Sequence, residues 1–163
     1  MSLAELIQDL LARCDEAAEL IYAGQYEEAR ERLGELWQGV GVRPQVASYP
    51  PEIAAEALLR CGSLSGFLGH AQAKDAQEKA KDLLTEALHI FQTLNLKTKV
   101  SEAQYELGVC YWRAGADADL VEDQAAKARL YAKDMRIAAQ TLADHEGPAP
   151  VSAAVQQLAT ALV

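Results

Sequence analysis

The side chains with the widest chemical repertoire in this sequence are three cysteines and three histidines. Cys14, Cys61 and Cys110 are far apart in the sequence, and no Cys-x-x-Cys pair occurs. A zinc ribbon and a dithiol redox motif are therefore both absent. Since the cysteines fall within helical patterns, we expect small buried residues at these positions. The histidines are scattered along the chain as well.

Two short stretches could still suggest a reaction centre. Asp144-His145-Glu146 places three potential metal ligands in a row, but adjacent side chains point apart and rarely reach one ion. The stretch Gly-Ser-Leu-Ser-Gly at 62–66 differs from the nucleophile elbow of serine hydrolases, because its centre is Leu64 and its surroundings predict a helix. We therefore predict no catalytic residue, no cofactor site, no metal site and no enzymatic activity.

Composition and charge limit the class of protein further. The chain has 163 residues, of which 50% are hydrophobic and 24% charged, enough apolar residues for one folded core. The net charge of −9 argues against nucleic acid as a partner, since phosphate binding requires basic surfaces. No apolar run approaches a membrane span of about 20 residues, and acids interrupt the first twenty residues, unlike a signal peptide. These features predict a cytoplasmic protein that binds no membrane.

Apolar residues recur mostly at spacings of three and four, which is the period of an amphipathic helix. We predict an all-α fold of antiparallel helix pairs, with no strands. Glycine and proline mark the ends of the segments, with Gly24 closing the first helix, Pro51 opening the third and Gly115 closing the fifth. The seven predicted helices cover about residues 3–23, 26–38, 52–68, 74–94, 97–114, 119–144 and 151–162.

The helix pairs also carry a recurring pattern of small and large residues. In one pair, Gly24 and Tyr26 occupy the turn and Ala29 a close helix contact; in another, Gly108 and Tyr111 alternate in the same manner. Other positions that fit the pattern are Leu33, Ala80, Leu84, Ala87, Leu107 and Gly115. A small residue allows two helices to approach, and a large neighbour fills the gap, so stacked copies share one core.

These positions match the tetratricopeptide pattern, and the stretch from about residue 25 to 115 resembles a family of bacterial tetratricopeptide-repeat (TPR) proteins. The segments that carry the resemblance include EARERLGELWQGVGVRP and SEAQYELGVCYWRAG. The resemblance implies a TPR-like α-solenoid, a right-handed superhelix that serves as a scaffold or protein-interaction module and has no catalytic residues. We accordingly assign residues 1–115 to TPR-like helical repeats.

Residues 116–163 depart from this pattern and form the second predicted part, C-terminal helices that pack on or cap the array. Residues 117–163 look like the C-terminal helical part of 3-hydroxyisobutyrate-type dehydrogenases, through Lys133-Asp134, Ala138, Gly147 and Pro150. The chain has no Gly-x-Gly-x-x-Gly turn, so a dehydrogenase-derived fragment would be inactive. Two unrelated resemblances leave open an engineered chimera of helical fragments with no evolved function.

The resemblance also indicates where a protein or peptide partner would bind. The first helices of the pairs line the concave face, which for the third pair presents Tyr105, Val109, Trp112 and Arg113, and aromatic and arginine side chains are enriched at interface hot spots. Alternatively, Trp112 packs against the following helix. The apolar end Leu162-Val163 and the broken repeat register also suggest a homodimer through the C-terminal helices.

Two further patterns leave alternatives open. Gly62, Gly66 and Gly69 lie on nearly one side of the third helix, where each costs about 1 kcal/mol relative to alanine. Close helix approach would offset that cost; a ligand gap or a kink is the other explanation. Residues 1–38 hold nine acids and three bases, a balance of −6. This charge is either a solvated face or a surface for a basic partner.

Overall fold

The computed structural model describes residues 1–69 and 75–117, and this part of the chain is all-helical, as predicted. It divides into two compact units, Met1–Ile90 and Phe91–Val163. The helices are α1 (Leu3–Tyr22), α2 (Tyr26–Leu33), a short 3₁₀ turn (Gly34–Leu36), α3 (Pro51–Leu68), α4 (Ala76–Thr93) and α5 (Lys97–Asp117).

Helix α1 begins with a capping box, in which Ser2 and Glu5 bond reciprocally to each other's backbone N–H. The two bonds satisfy donors that the first turn would otherwise leave without partners. The second half of the predicted apolar stripe is buried, through Leu10, Cys14, Ala17 and Ile21, whereas its first two turns are largely exposed. The helix ends before Gly24, which has a φ of +79°, so the predicted stop is confirmed.

Helix α2 is shorter than the sequence indicates. We expected it to reach residue 38, but the α-helix ends at Leu33 and continues only as the 3₁₀ turn. At this point Gly34 adopts a φ of +57° and Trp37 is extended, with its side chain buried in the fold rather than carried on a helical face. Helix α2 packs on α1 and α3, and the Tyr26 ring stacks on that of Phe67 at a centroid distance of 4.4 Å.

Helix α3 is the most deeply buried segment of the first unit. Pro51 stands in its first turn, as predicted, and every residue from 54 to 66 is buried. This part of the helix is therefore buried on all sides and is not amphipathic. The buried residues include an ion pair, in which Oε2 of Glu56 lies 3.7 Å from Nη2 of Arg60. Helix α3 also contacts α1.

The glycines of α3 mark its approach to α4. A Cβ atom on Gly62 would lie 2.8 Å from Cγ of Leu84, and one on Gly69 would lie 2.2 Å from Cβ of Ala76. Gly66 contributes its carbonyl oxygen, which accepts a 2.8 Å bond from Nε2 of Gln77. Close helix approach is thus the explanation at Gly62 and Gly69, where α4 fills the space that a ligand would need.

In the second unit, α5 begins at Lys97 after a turn in which Asn95 has a φ of +56°. The helix runs to Asp117, so the prediction that Gly115 ends it is wrong; the helical hydrogen bonding simply continues through this glycine, at the modest cost that glycine carries in a helix. None of the described helices combines the length and apolar character needed to cross a lipid bilayer. The predicted sixth and seventh helices lie outside the described residues.

Candidate functional site

A cleft of about 830 Å³ lies beside α1 in the first unit. One wall is the N-terminal half of α1, and the other is the segment 43–49, with the end of the 3₁₀ turn between them. Its apolar lining includes Leu6, Leu10, Leu36 and Val46. The volume falls within the range of ordinary binding sites, about 300–1,000 Å³.

Charged groups on α1 form one rim of the cleft. The Nε atom of Arg13 donates to Oδ2 of Asp9 across one helical turn, at 2.9 Å. The same guanidinium lies over Gly34, since a Cβ atom there would meet Nη1 of Arg13 at 2.7 Å. The glycine at the end of α2 therefore leaves room for the arginine to reach the cleft. Glu35 follows directly and lines the cleft as well.

The opposite wall is held in place by side chains from the loop itself. Trp37 is only 2% exposed, and its indole N–H donates to the carbonyl of Val42 at 2.8 Å. The amide of Gln45 donates to the carbonyl of Leu36, at 3.0 Å. Val46, which follows in the same wall, is buried with 5% exposure. A buried indole normally needs such a hydrogen-bond acceptor, and the loop provides it.

Arg43 connects this wall to α4 through a bidentate ion pair. Its Nη1 and Nη2 atoms donate to Oε2 and Oε1 of Glu86, at 2.5 and 2.6 Å. These bonds lower the pKa of the Glu86 carboxyl and raise that of Arg43, and partial burial opposes both shifts. Parallel N–H···O bonds of this kind fix orientation as well as distance. The pair therefore sets where the 43–49 wall lies relative to α4.

A smaller cavity of about 230 Å³ adjoins the other side of Arg43. Its lining includes Ser65, Lys79 and Asp82. The Nζ atom of Lys79 lies 3.4 Å from the carbonyl oxygen of Gly41 and also pairs with the carboxylate of Asp75, the residue before α4. The hydroxyl of Ser65 donates to a carbonyl of its own helix, so it is not arranged next to a base that would make it a nucleophile.

In the part of the chain that the structure describes, the thiols are buried and the potential metal ligands form no cluster. Cys14, Cys61 and Cys110 are at most 2% exposed, which confirms the expectation of buried core residues. Burial raises the pKa of the Cys61 thiol, and the neighbouring Cys14 raises it further. A thiol of this kind is a poor nucleophile, since the thiolate is the reactive form. Across residues 1–69 and 75–117, no three His, Cys, Asp or Glu side chains converge on one point.

The predicted partner-binding residues occupy two different environments on α5. Tyr105 and Val109 are buried, with 7% and 4% exposure, and Arg113 is half-buried. The side chain of Trp112 lies outside the part of the chain that the structure describes, as does the Asp144-His145-Glu146 stretch. A partner would reach the two buried residues only if they became exposed on binding, and their role stays a prediction.

Sequence reasoning missed the cleft beside α1. From the sequence alone, the stretch 39–52 predicts only a loop rich in glycine and proline. The sequence does hold one signal of a buried wall, because Pro44 and Val46 are apolar residues at alternate positions. In the structure both are buried. The pairing of Arg43 with Glu86 had no sequence signal, since 43 residues separate them.

Comparison with models of protein families, with characterised proteins and with solved structures finds no match to this chain.

Proposed function

We propose that this protein is a non-catalytic helical scaffold that binds a segment of a protein partner. The observation that carries the proposal is the open cleft beside α1, about 830 Å³ in volume, with an apolar floor and a charged rim. Clefts with this composition bind ligands through shape and a few polar contacts.

The proposed architecture is a TPR-like solenoid of helix pairs. Two turns support it, because α1–α2 and α4–α5 are joined in the same way. Gly24 and Asn95 both have a positive φ, at +79° and +56°. In each turn the next amide donates to the carbonyl five residues back, Gln25 to Leu20 at 2.8 Å and Leu96 to Phe91 at 3.0 Å. Helices commonly end in a turn of this kind, and a repeated helix pair would place the same turn in each copy.

Selection of displayed random peptides on the full chain tests the proposal. Peptides of about 16 residues are long enough for four helical turns. We expect a family of related sequences whose members bind the chain saturably in fluorescence anisotropy, and which a heat-denatured sample does not bind. If no selected peptide binds saturably, the chain does not act as a peptide-binding module and the proposal is wrong.

A further inference from the structure

The first two turns of α1 expose apolar side chains that lead into the cleft. Leu3 and Leu6 are 58% and 39% exposed, and Leu10, one turn further, is buried at 3%. Spacings of three and four place the three leucines on one side of the helix. They form a stripe about 10 Å long, at 1.5 Å per residue. A partner helix with anchors at i, i+3 and i+7 presents a stripe of the same length.

The segment 1–38, which supplies this stripe, carries negative charge that its own bases do not compensate. All three basic residues of the segment 1–38 are ion-paired, Arg13 with Asp9, Arg30 with Glu27 and Arg32 with Glu16. The six remaining acids form no ion pair with any residue that the structure describes; they are Glu5, Asp15, Glu19, Glu28, Glu31 and Glu35.

One of these six carboxylates lies at the cleft. Glu35 lines it directly, and Glu31 lies one turn before, near the end of α2. Arg13 and Arg43, the two cations of the cleft, are already neutralised by Asp9 and Glu86. Among the described lining residues, an acidic segment would therefore meet no unpaired cation, whereas a basic segment would meet the unpaired carboxylate of Glu35.

From the stripe and the charge together we infer that the cleft binds a basic amphipathic helix of the protein partner. Apolar side chains of that helix pack on the exposed Leu3 and Leu6 and on the half-buried Leu36, and its lysines or arginines face Glu35. A second copy of this chain is disfavoured at the same place, because two surfaces with a balance of −6 each would repel. The inference rests on the proposed function and adds the site and the class of ligand.

The experiment uses the peptides selected on the full chain and four single variants of that chain. Leu6→Asp places a charge in the stripe, and Glu35→Lys reverses the rim charge. Leu94→Asp is the control for the first, since Leu94 has similar exposure, 42%, and lies outside the cleft lining. Glu19→Lys is the control for the second, with the same change in net charge about 20 Å along α1 from Leu6.

We expect the selected peptides to carry net positive charge and apolar residues at helical spacing. Leu6→Asp should weaken binding at least tenfold, which corresponds to removing one buried leucine from the interface. Glu35→Lys should weaken it several-fold and reduce its dependence on salt, while both controls stay within about twofold of the wild type. All substituted positions are exposed, and circular dichroism checks that each variant is folded.

The outcomes separate this inference from the proposed function. If peptides bind but are acidic or neutral, or if neither Leu6→Asp nor Glu35→Lys weakens them, the inference is wrong and the module proposal stands. Light scattering provides the other decisive result: a dimer that Leu6→Asp dissociates would mean that a second copy fills the cleft. If no peptide binds the chain, the proposed function itself is wrong.

Discussion

Replacing Gly62 by alanine probes the contact between α3 and α4. The added Cβ atom would lie 2.8 and 2.9 Å from Cγ and Cδ2 of Leu84, and 3.3 Å from the carbonyl oxygen of Ala80. Leu84 is fully buried, so its side chain has no solvent-filled space into which to move. The backbone carbonyl on the same side prevents the methyl group from being accommodated by a small rotation of α4.

Two opposing effects determine how much Gly62→Ala changes the free energy of unfolding. Alanine is favoured over glycine in a helix interior by about 1 kcal/mol. Inserting a methyl group into a packed core typically costs about 1–3 kcal/mol. With two contacts below 3.0 Å the packing effect should dominate, and we expect Gly62→Ala to lower the free energy of unfolding by about 1 kcal/mol.

A double-mutant cycle with Leu84→Ala isolates the cause. Leu84→Ala alone should cost about 2–5 kcal/mol, because it leaves a cavity in the core. In that background the clashing atoms are gone, so Gly62→Ala should become stabilising by up to about 1 kcal/mol. The four proteins are compared by urea unfolding followed by far-UV circular dichroism, with equal slopes required before the free energies are compared.

The decisive result is whether Gly62→Ala lowers or raises the free energy of unfolding of the wild-type protein. If Gly62→Ala stabilises the wild-type protein as much as it stabilises the Leu84→Ala variant, the glycine does not serve helix approach. The contact between α3 and α4 would then be looser than the distances indicate, and the reasoning from Cβ contacts would be wrong.

Three further predictions concern individual contacts of the first unit. Glu86→Gln should lower stability at neutral pH by less than about 1 kcal/mol, because both partners of the Arg43 pair are partly exposed. Since folding lowers the pKa of Glu86, the pair's contribution is complete above the unfolded value of about 4.3 and is lost as the pH falls through the folded value. Urea unfolding at neutral and acidic pH checks this, and an equal difference between wild type and variant at both would contradict it. A double-mutant cycle of Tyr26→Leu and Phe67→Leu should give a coupling energy of about 0.5–1.5 kcal/mol for the stacked rings, whereas purely additive effects would show that stacking contributes nothing. The Cys61 thiol should react with a thiol reagent far more slowly in the native protein than in denaturant, and equal rates, resolved by mass spectrometry of the labelled peptide, would show that it is accessible.

Much of the secondary structure was predictable from the sequence because its signals are local. Apolar residues at spacings of three and four indicate helices wherever they occur. Pro51 at a helix start and Gly24 after a helix end act through their own backbone angles, which the surrounding fold changes little. The all-α class and the start of α5 near Lys97 were therefore predictable within the described residues.

The errors come from signals that depend on the environment. Gly115 was expected to end α5, yet a glycine inside a helix only weakens it, and the helix continues to Asp117. The end of α2 at Leu33 depends on Trp37, whose indole is buried and bonded to Val42. Periodicity could not distinguish this tryptophan from another residue on the same helical face.

The cleft, in contrast, was decided by tertiary structure alone. It needs the exposed start of α1, the end of α2 and the 43–49 wall to meet, and Arg43 reaches a partner 43 residues away on α4. The acidic balance of residues 1–38 was visible in the sequence, but only the ion pairs show which carboxylates remain unpaired beside an apolar stripe. Helices follow from contacts three and four residues apart, whereas a binding surface depends on contacts between distant segments, which a single sequence does not specify.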